Sequence, residues 1–246
     1  KVRHKVIPTL QEINPHVLES FQNTLEYLNE SQSIICDATK NISEKIVTYE
    51  NDLLKLNCKK LTELSNKKAY LYQLLHTYGF TAWNDVVDLI SGQAGKQVFS
   101  KTHRLLKDRN FLILTTNTKN ITEKGPFLIK ETSTEISHPI NLTIQETSDG
   151  IPENKHQIII NKDLVSYPLS LKKWHHGDAI YPIGMTGSKK ISQLFKDKKL
   201  SLLDKEKIWL LCDAKDTIIW VIGLRQDRRF TVNKTTKNRL KISFIS

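Results

Sequence analysis

An α+β chain is expected, helical at first and strand-rich afterwards. Three observations predict it. Apolar residues recur at helical spacing as far as Ile90. From Gln97 the apolar runs shorten to strand length and turn residues punctuate them. The charge is also divided: residues 172–246 hold 13 Lys and 4 Arg against 6 Asp and 1 Glu, a net of +10. The preceding 171 residues hold 20 basic and 19 acidic side chains, a net of +1.

Taken in order, Asn14-Pro15 predicts a helix start, with Asn14 as N-cap and Pro15 at the first helical position. Val17, Leu18, Phe21, Leu25 and Leu28 then follow helical spacing. A second helix is expected over 60–78 on Leu61, Leu64, Leu71, Leu74 and Leu75, ended by Gly79. A third runs from Thr81 as N-cap to Ile90 and stops at Gly92. These stripes are read as packing faces. Residues 97–100, 103–106 and 111–115 read as strands, with 107–110 as the tight turn before the last. A polar stretch, 117–125, precedes strand-like runs at 127–131, 140–145 and 157–160, with a loop at 146–155.

The basic module opens near Ser170 with a strand, a Gly177-Asp178 turn and a second strand. The loop GMTGSKK (184–190) and a short helix over 191–198 come next. Apolar strands at 207–211 and 217–222 are joined by a turn at 213–216. A short helix near Lys234 and a strand over 240–244 end the module. Trp174, Phe195, Trp209, Trp220 and Phe230 supply material for a core, which a disordered basic arm lacks.

Composition narrows the function classes. No stretch approaches the roughly 18 apolar residues a spanning helix needs. Residues 1–8 are basic without an apolar segment behind them, so neither a signal peptide nor membrane attachment is expected. Cys36, Cys58 and Cys212 are odd in number and far apart, which fits free thiols in a reducing cytoplasm. No Cys or His pair has zinc-ligand spacing, and the adjacent His175 and His176 diverge on any regular element, so no metal site is expected. Nucleophile-elbow, paired-His and nucleotide-loop signatures are absent, so no catalytic residue is named.

A polyanion is the natural partner of the basic module, because each neutralised phosphate releases a condensed counterion. GMTGSKKISQLFKDKK (184–199) carries most of the signal. Its two glycines permit a tight loop with exposed N–H groups before a helix whose N-terminus favours anions. Lys189, Lys190, Lys196, Lys198 and Lys199 decorate it, while Ile191, Leu194 and Phe195 supply an inner face. The alternative is a solvated lysine face. LRQDRRF (224–230) places Arg225, Arg228 and Arg229 just after an apolar strand. Arginine can fork onto phosphate or stack on a base, and an ion pair of Arg225 with Asp227 or Asp178 is the alternative. The pairs Lys189/Lys190 and Arg228/Arg229 sit beside turns, where side chains usually face solvent. LKKWHHGD (171–178) adds Lys172, Lys173 and Trp174, the last read as a core anchor ahead of a base-stacking platform.

These stretches together resemble one family, bacterial tRNA(Ile)-lysidine synthetase. LSLKKWHHGDAIYPIGMTGSKKISQLFKDKKL (169–200) is similar to its R-x-W-x-x-G-D…P-x-G-M-x-G-x-K-K-L-S-D-x-F stretch. IIWVIGLRQDRRF (218–230) is similar to its I-V-W-V-x-G-x-R-x-D-x-R-F strand. KVRHKVIPTLQEINP (1–15) looks like the motif that ends the family's catalytic domain, with Arg3 and His4 in the part near the active site. SKTHRLLKDRNFLIL (100–114) resembles the hairpin of its middle domain, which makes Lys101, Arg104 and Arg109 candidates for a tRNA contact there. The resemblance covers essentially the whole chain, with two departures: Lys172 stands where many relatives have Arg, and Gln193 where they often have Asp.

The resemblance implies a function. The family uses ATP and Mg to adenylate C2 of the wobble cytidine in the CAU-anticodon isoleucine tRNA, and lysine then displaces AMP. Its ATP site needs an S-G-G-x-D-S loop, whereas this sequence contains no Gly-Gly pair. The chain is therefore expected to be a C-terminal, tRNA-holding part, inactive alone and without cofactor. Implied domains are 1–13 (tail of a catalytic domain), 14–117 (helical, substrate-recognition-like, with a hairpin), 118–165 (strand-rich connection) and 166–246 (basic tRNA-binding). The last is expected to be sandwich-like with short helices, resembling a domain of the phenylalanyl-tRNA synthetase β subunit. Its implied tRNA contacts are Lys172, Lys173, Lys189, Lys190, Lys196, Lys198, Lys199, Arg225, Arg228 and Arg229. A homodimer stays open. Rival readings are a generic RNA-binding module of another factor and a structural interaction domain whose lysines only solubilise it.

Overall fold

The computed structural model describes residues 1–50, 53–117 and 125–245; most of the polar stretch expected over 117–125 lies outside them. The chain is α+β and divides into two units, Lys1–Asn117 and Thr118–Ser246.

The first unit begins with a π-type turn, Val2–Val6, and helix α1 (Ile7–Ile13). Helix α2 (Val17–Ile46) has 30 residues and starts later than Asn14. Asn14 acts from outside the helix, its Oδ1 accepting from the His16 N–H at 3.0 Å, and Pro15 lies in the turn. The α2 stripe is not a packing face among the described residues: Phe21 and Leu28 are 62% and 60% exposed, and Leu18 and Leu25 are exposed too. Periodicity says which residues share a face, not what meets that face. Only Ile46, at the far end, is buried.

A five-stranded antiparallel sheet follows, built from β1 (Val47–Glu50), β2 (Leu53–Asn57), β3 (Gln97–Phe99), β4 (His103–Asp108) and β5 (Phe111–Thr116) in the order β1-β2-β5-β4-β3. The β4–β5 hairpin matches the sequence expectation. Asp108 opposes Phe111 across a two-residue turn, and Arg109 takes φ +48°. The sequence did not announce β1 and β2, because β2 is leucine-rich rather than β-branched and borders helical texture. The helix expected over 60–78 is split into α3 (Cys58–Thr62) and α4 (Lys67–Leu75) by a turn carrying Ser65 and Asn66, residue types that compete with helix continuation. Gly79 (φ +76°) ends the following 3-10 turn, and α5 (Trp83–Asp88) is shorter than expected. Leu56, Leu61, Leu71, Leu75, Leu105 and Leu112 are fully buried in the core that joins sheet and helices.

The second unit is a β-sandwich. Its strands are β6 (Phe127–Ile129), β7 (Glu135–Ile136), β8 (Asn141–Glu146), β9 (Gln157–Asn161), β10 (Leu169–Lys172), β11 (Ala179–Ile180), β12 (Lys189–Lys190), β13 (Leu210–Cys212), β14 (Ile218–Val221), β15 (Arg225–Gln226) and β16 (Arg239–Ile245). Its helices are α6 (Ile191–Asp197) and α7 (Leu202–Lys207). One sheet runs β15-β14-β13-β10-β6 and the other β7-β8-β16-β9, while β11 and β12 form a small ribbon. Leu169, Leu171, Leu211 and Ile219 of the first sheet share a core with Leu142, Ile158, Leu240 and Ile242 of the second. The described strands of 118–165 are thus members of the C-terminal sheets and not a connection of their own. Their hydrogen-bonding partners, such as Leu240 for Glu146, lie far along the chain.

Strands β13 and β14 are buried on both faces, which is why they read as continuous apolar runs. Leu211 and Ile219 face the sandwich, whereas Leu210, Cys212, Ile218 and Val221 face a second core with Ile180, Ile191, Leu194 and Phe195. A bulge makes this possible: Leu211 opposes Trp220 and Cys212 opposes Ile218. Helix α7 was not foreseen, although Ser201 and Asp204 form a capping box. The helix expected near Lys234 is a turn. The Asn233 side chain accepts there from the Thr235 N–H (2.9 Å) and both threonine hydroxyls, satisfying the backbone locally.

Candidate nucleic-acid interface

Burial of Ile191, Leu194 and Phe195 fixes the rotation of α6. Their i, i+3, i+4 spacing pins one face to the second core, where Trp174 meets Phe195 edge-on at 5.2 Å. Trp174 is thereby a packing residue. The helix turns Lys196 outward, and Lys190 before it and Lys198 and Lys199 after it are exposed as well. At 7 residues α6 has little macrodipole, so the positive potential of this face comes from side chains.

The ten basic residues singled out in this module separate into two sets. Lys172 turns inward to ion pairs with Asp216 at 2.7 Å and Asp178 at 3.8 Å. Lys173 donates to the Glu206 carbonyl at 2.7 Å and lies 3.9 Å above the Trp209 ring. Burial pushes its ammonium down to about 8. Lys189 pairs with Asp197, and this bond, then that from Gln193, holds the Asp197 carboxyl below the usual carboxylate range.

Arg228 donates to the Met185 carbonyl and, at 2.7 Å, to that of Thr186. It therefore holds the glycine loop, in which Gly184 takes φ +84°. Arg229 forks onto Asp227 (3.0 and 2.8 Å) with its guanidinium 4.4 Å from the Tyr181 ring centre. The ion-pair alternative for this segment is realised, but by Arg229 and not by Arg225. These five residues are engaged by partners within the chain, Arg228 and Arg229 while also exposed. Lys190, Lys196, Lys198 and Arg225 are exposed and form the outer set, and Lys199 is exposed beside them. Lys234 and Lys237, in the turn mistaken for a helix, are exposed as well.

In the first unit Lys101 and Arg109 are exposed, and Arg104 is held by Thr115 (2.9 Å) and Gln97 (3.3 Å). Arg3 and His4 are exposed on the first turn. Among the described residues no group of three or more His, Cys, Asp or Glu could hold a metal ion, and no helix is long and apolar enough to cross a membrane. Sequence reasoning passed over one further feature, the aromatic pair Tyr72 and Trp83 beside Lys67 and Lys68. Its signal was legible only in part: Tyr72 and His76 stand four residues apart, whereas Trp83 lies on a separate helix and joins them only in the fold.

Residues 49–118 match the family described as TilS substrate binding domain, and residues 169–242 that described as TilS substrate C-terminal domain. A tRNA(Ile)-lysidine synthase of Parabacteroides distasonis is 34% identical, covering 99% of this chain and 56% of the relative. That of Bacteroides thetaiotaomicron is 33% identical over 96% of this chain and 53% of its own length, and that of Bacillus subtilis 26% identical over 92% and 52%. The chain thus spans about half the length of the curated relatives it matches. A solved structure described as the crystal structure of TILS C-terminal domain covers 49% of this chain and 91% of its own at 19% identity, with a TM-score of 0.39.

Proposed function

We propose that this chain, which belongs to the tRNA(Ile)-lysidine synthase family, supplies the tRNA-holding surfaces of that enzyme and not its chemistry. The reaction served is ATP-dependent attachment of lysine to the wobble cytidine of the CAU-anticodon isoleucine tRNA, in the cytoplasm. The observation that carries the reading is the group of exposed lysines on and flanking α6 (Lys190, Lys196, Lys198 and Lys199), a helix seated by three buried apolar residues inside a module of net charge +10. Ammonium groups clustered around a seated helix can follow a phosphate backbone without reading its sequence. We assign the basic module to the acceptor stem and the first unit to the anticodon arm. Binding of the 246-residue chain to isoleucine tRNA, followed across a salt series, tests this. A steep fall of affinity with salt is expected. Affinity indifferent to salt, or equal for DNA of the same length, would overturn it.

A further inference from the structure

The first unit carries an open cleft of about 610 Å³ lined by Asn66, Lys67, Lys68, Tyr72, Gln73 and Trp83, together with two small residues. This volume lies within the range that accepts a small ligand. We propose that the cleft binds one unpaired nucleotide of the RNA, its base against the aromatic pair and its phosphate toward the lysines. This deepens the tRNA-holding reading and rests on it for the identity of the RNA.

The chemistry of the lining argues for that occupant. Tyr72 is 46% exposed, although aromatic rings ordinarily seek the core. Its ring stacks on His76 (5.1 Å, 17°) and meets Trp83 edge-on (5.0 Å, 63°). Trp83 packs partly against the core, and Lys68 donates to Asn84 at 2.8 Å, tying α4 to α5. The rings are therefore already oriented, so a base docking on them costs little side-chain entropy. No carboxylate lines this cleft, Asp85 lining instead a smaller hollow that shares Lys68 and Trp83 with it, and Asn66 and Gln73 offer amides to a base edge. A flat π surface joined to an anion is the chemistry such a lining recognises, and stacking on aromatic rings is how unpaired bases are held. Paired bases stay within their own stack, so a duplex gains nothing from it. The cleft also falls within the substrate-binding match at 49–118.

The test compares the 246-residue chain with Trp83→Leu, Trp83→Phe and Tyr72→Leu. Each is titrated with a short single-stranded RNA, a blunt RNA duplex and isoleucine tRNA. Leucine keeps apolar packing but removes the π face, and a thermal melt checks each fold. Trp83→Leu and Tyr72→Leu should weaken binding of the single strand about 5- to 100-fold, the range that loss of one stacked base produces. Trp83→Phe should retain most of it, and duplex affinity should be unchanged in all three. Unchanged single-strand affinity in folded leucine variants, or an equal loss for duplex and single strand, would overturn the proposal. If the wild-type chain binds tRNA while the leucine variants lose nothing, the cleft assignment falls and the tRNA-holding reading stands. If single-strand binding depends on Trp83 but tRNA is not bound, the reverse holds.

Discussion

Arg229 grips Asp227 with both arms of its guanidinium, at 3.0 and 2.8 Å, and Asp227 is completely buried. The same carboxylate accepts the backbone N–H groups of Tyr181 (3.0 Å) and Arg229 (2.9 Å). It therefore links the β15 segment to the chain that leads into the glycine loop. Asp227→Ala should destabilise the chain by about 2–4 kcal/mol, because several donors lose their acceptor at once. Arg229→Ala should cost less, about 1–2 kcal/mol, since its side chain is partly solvated. Urea denaturation measures both. Equal stability of wild type and Asp227→Ala would show that the buried carboxylate is not a structural anchor. Mutating Arg228 and Arg229 together is thus a poor probe of RNA contact, although their place beside a turn had suggested the fold would be spared.

The outer lysines are the better probe. Lys190→Ala/Lys198→Ala should leave stability within about 0.5 kcal/mol of wild type, as both side chains are exposed. It should flatten the plot of log affinity against log salt by about one to two units. Lys172→Ala should leave that slope unchanged, because its charge is already paired with Asp216. Ile191→Ala is the packing control: Ile191 has no exposed surface, and its truncation should cost about 2–4 kcal/mol without altering the slope. An unaltered slope in the double lysine variant would mean this face is only solvated.

Lys173 gives the fold a pH dependence with a definite sign. Burial lowers its folded-state pKa to about 8, while the unfolded chain titrates near 10.4. Between those values the unfolded state binds more protons, so stability rises with pH from about 8 to about 10.4. Below about 8 both states are protonated and the penalty of burying the ammonium is fully present. The Trp209 ring and the Glu206 carbonyl favour the charged form and narrow the window. Unfolding free energies of wild type and Lys173→Met, compared across pH 7–10.5, should diverge in favour of wild type as pH rises. Parallel curves would refute it.

The three thiols should differ in reactivity. Cys36 is exposed, while Cys58 and Cys212 are buried. Burial pushes the Cys212 thiol up to about 12, which removes its thiolate at ordinary pH. An aromatic disulfide reagent should label one thiol quickly in the native chain and the other two only on unfolding. Rapid labelling of Cys212 in the folded chain would contradict the packing of β13.

Much of the fold was legible because it is written in local pattern. The β4–β5 hairpin, helix α6 and most of the sandwich strands appeared as period, turn or apolar run, while the two-residue strands β7 and β15 did not. Where the reading slipped, another force had acted. Ser65 and Asn66 broke a helix that leucine spacing had joined, and Asn233 closed a turn in place of a helix turn. The candidate interface was legible as a set of charges, but which of them are paired within the chain was not.

The sequence by itself determined the α+β class, the concentration of charge in the last third, the inner face of α6 and the family motifs. Each depends on neighbours within a few residues or on counting. Only the tertiary structure decided that residues 127–161 belong to the C-terminal sheets, because their hydrogen-bonding partners lie far along the chain. It alone decided which cations are committed inside the chain. An ammonium on a strand and one on a helix carry the same formal charge. Whether that charge reaches a phosphate depends on an acid such as Asp216, Asp197 or Asp227 that folding brings beside it.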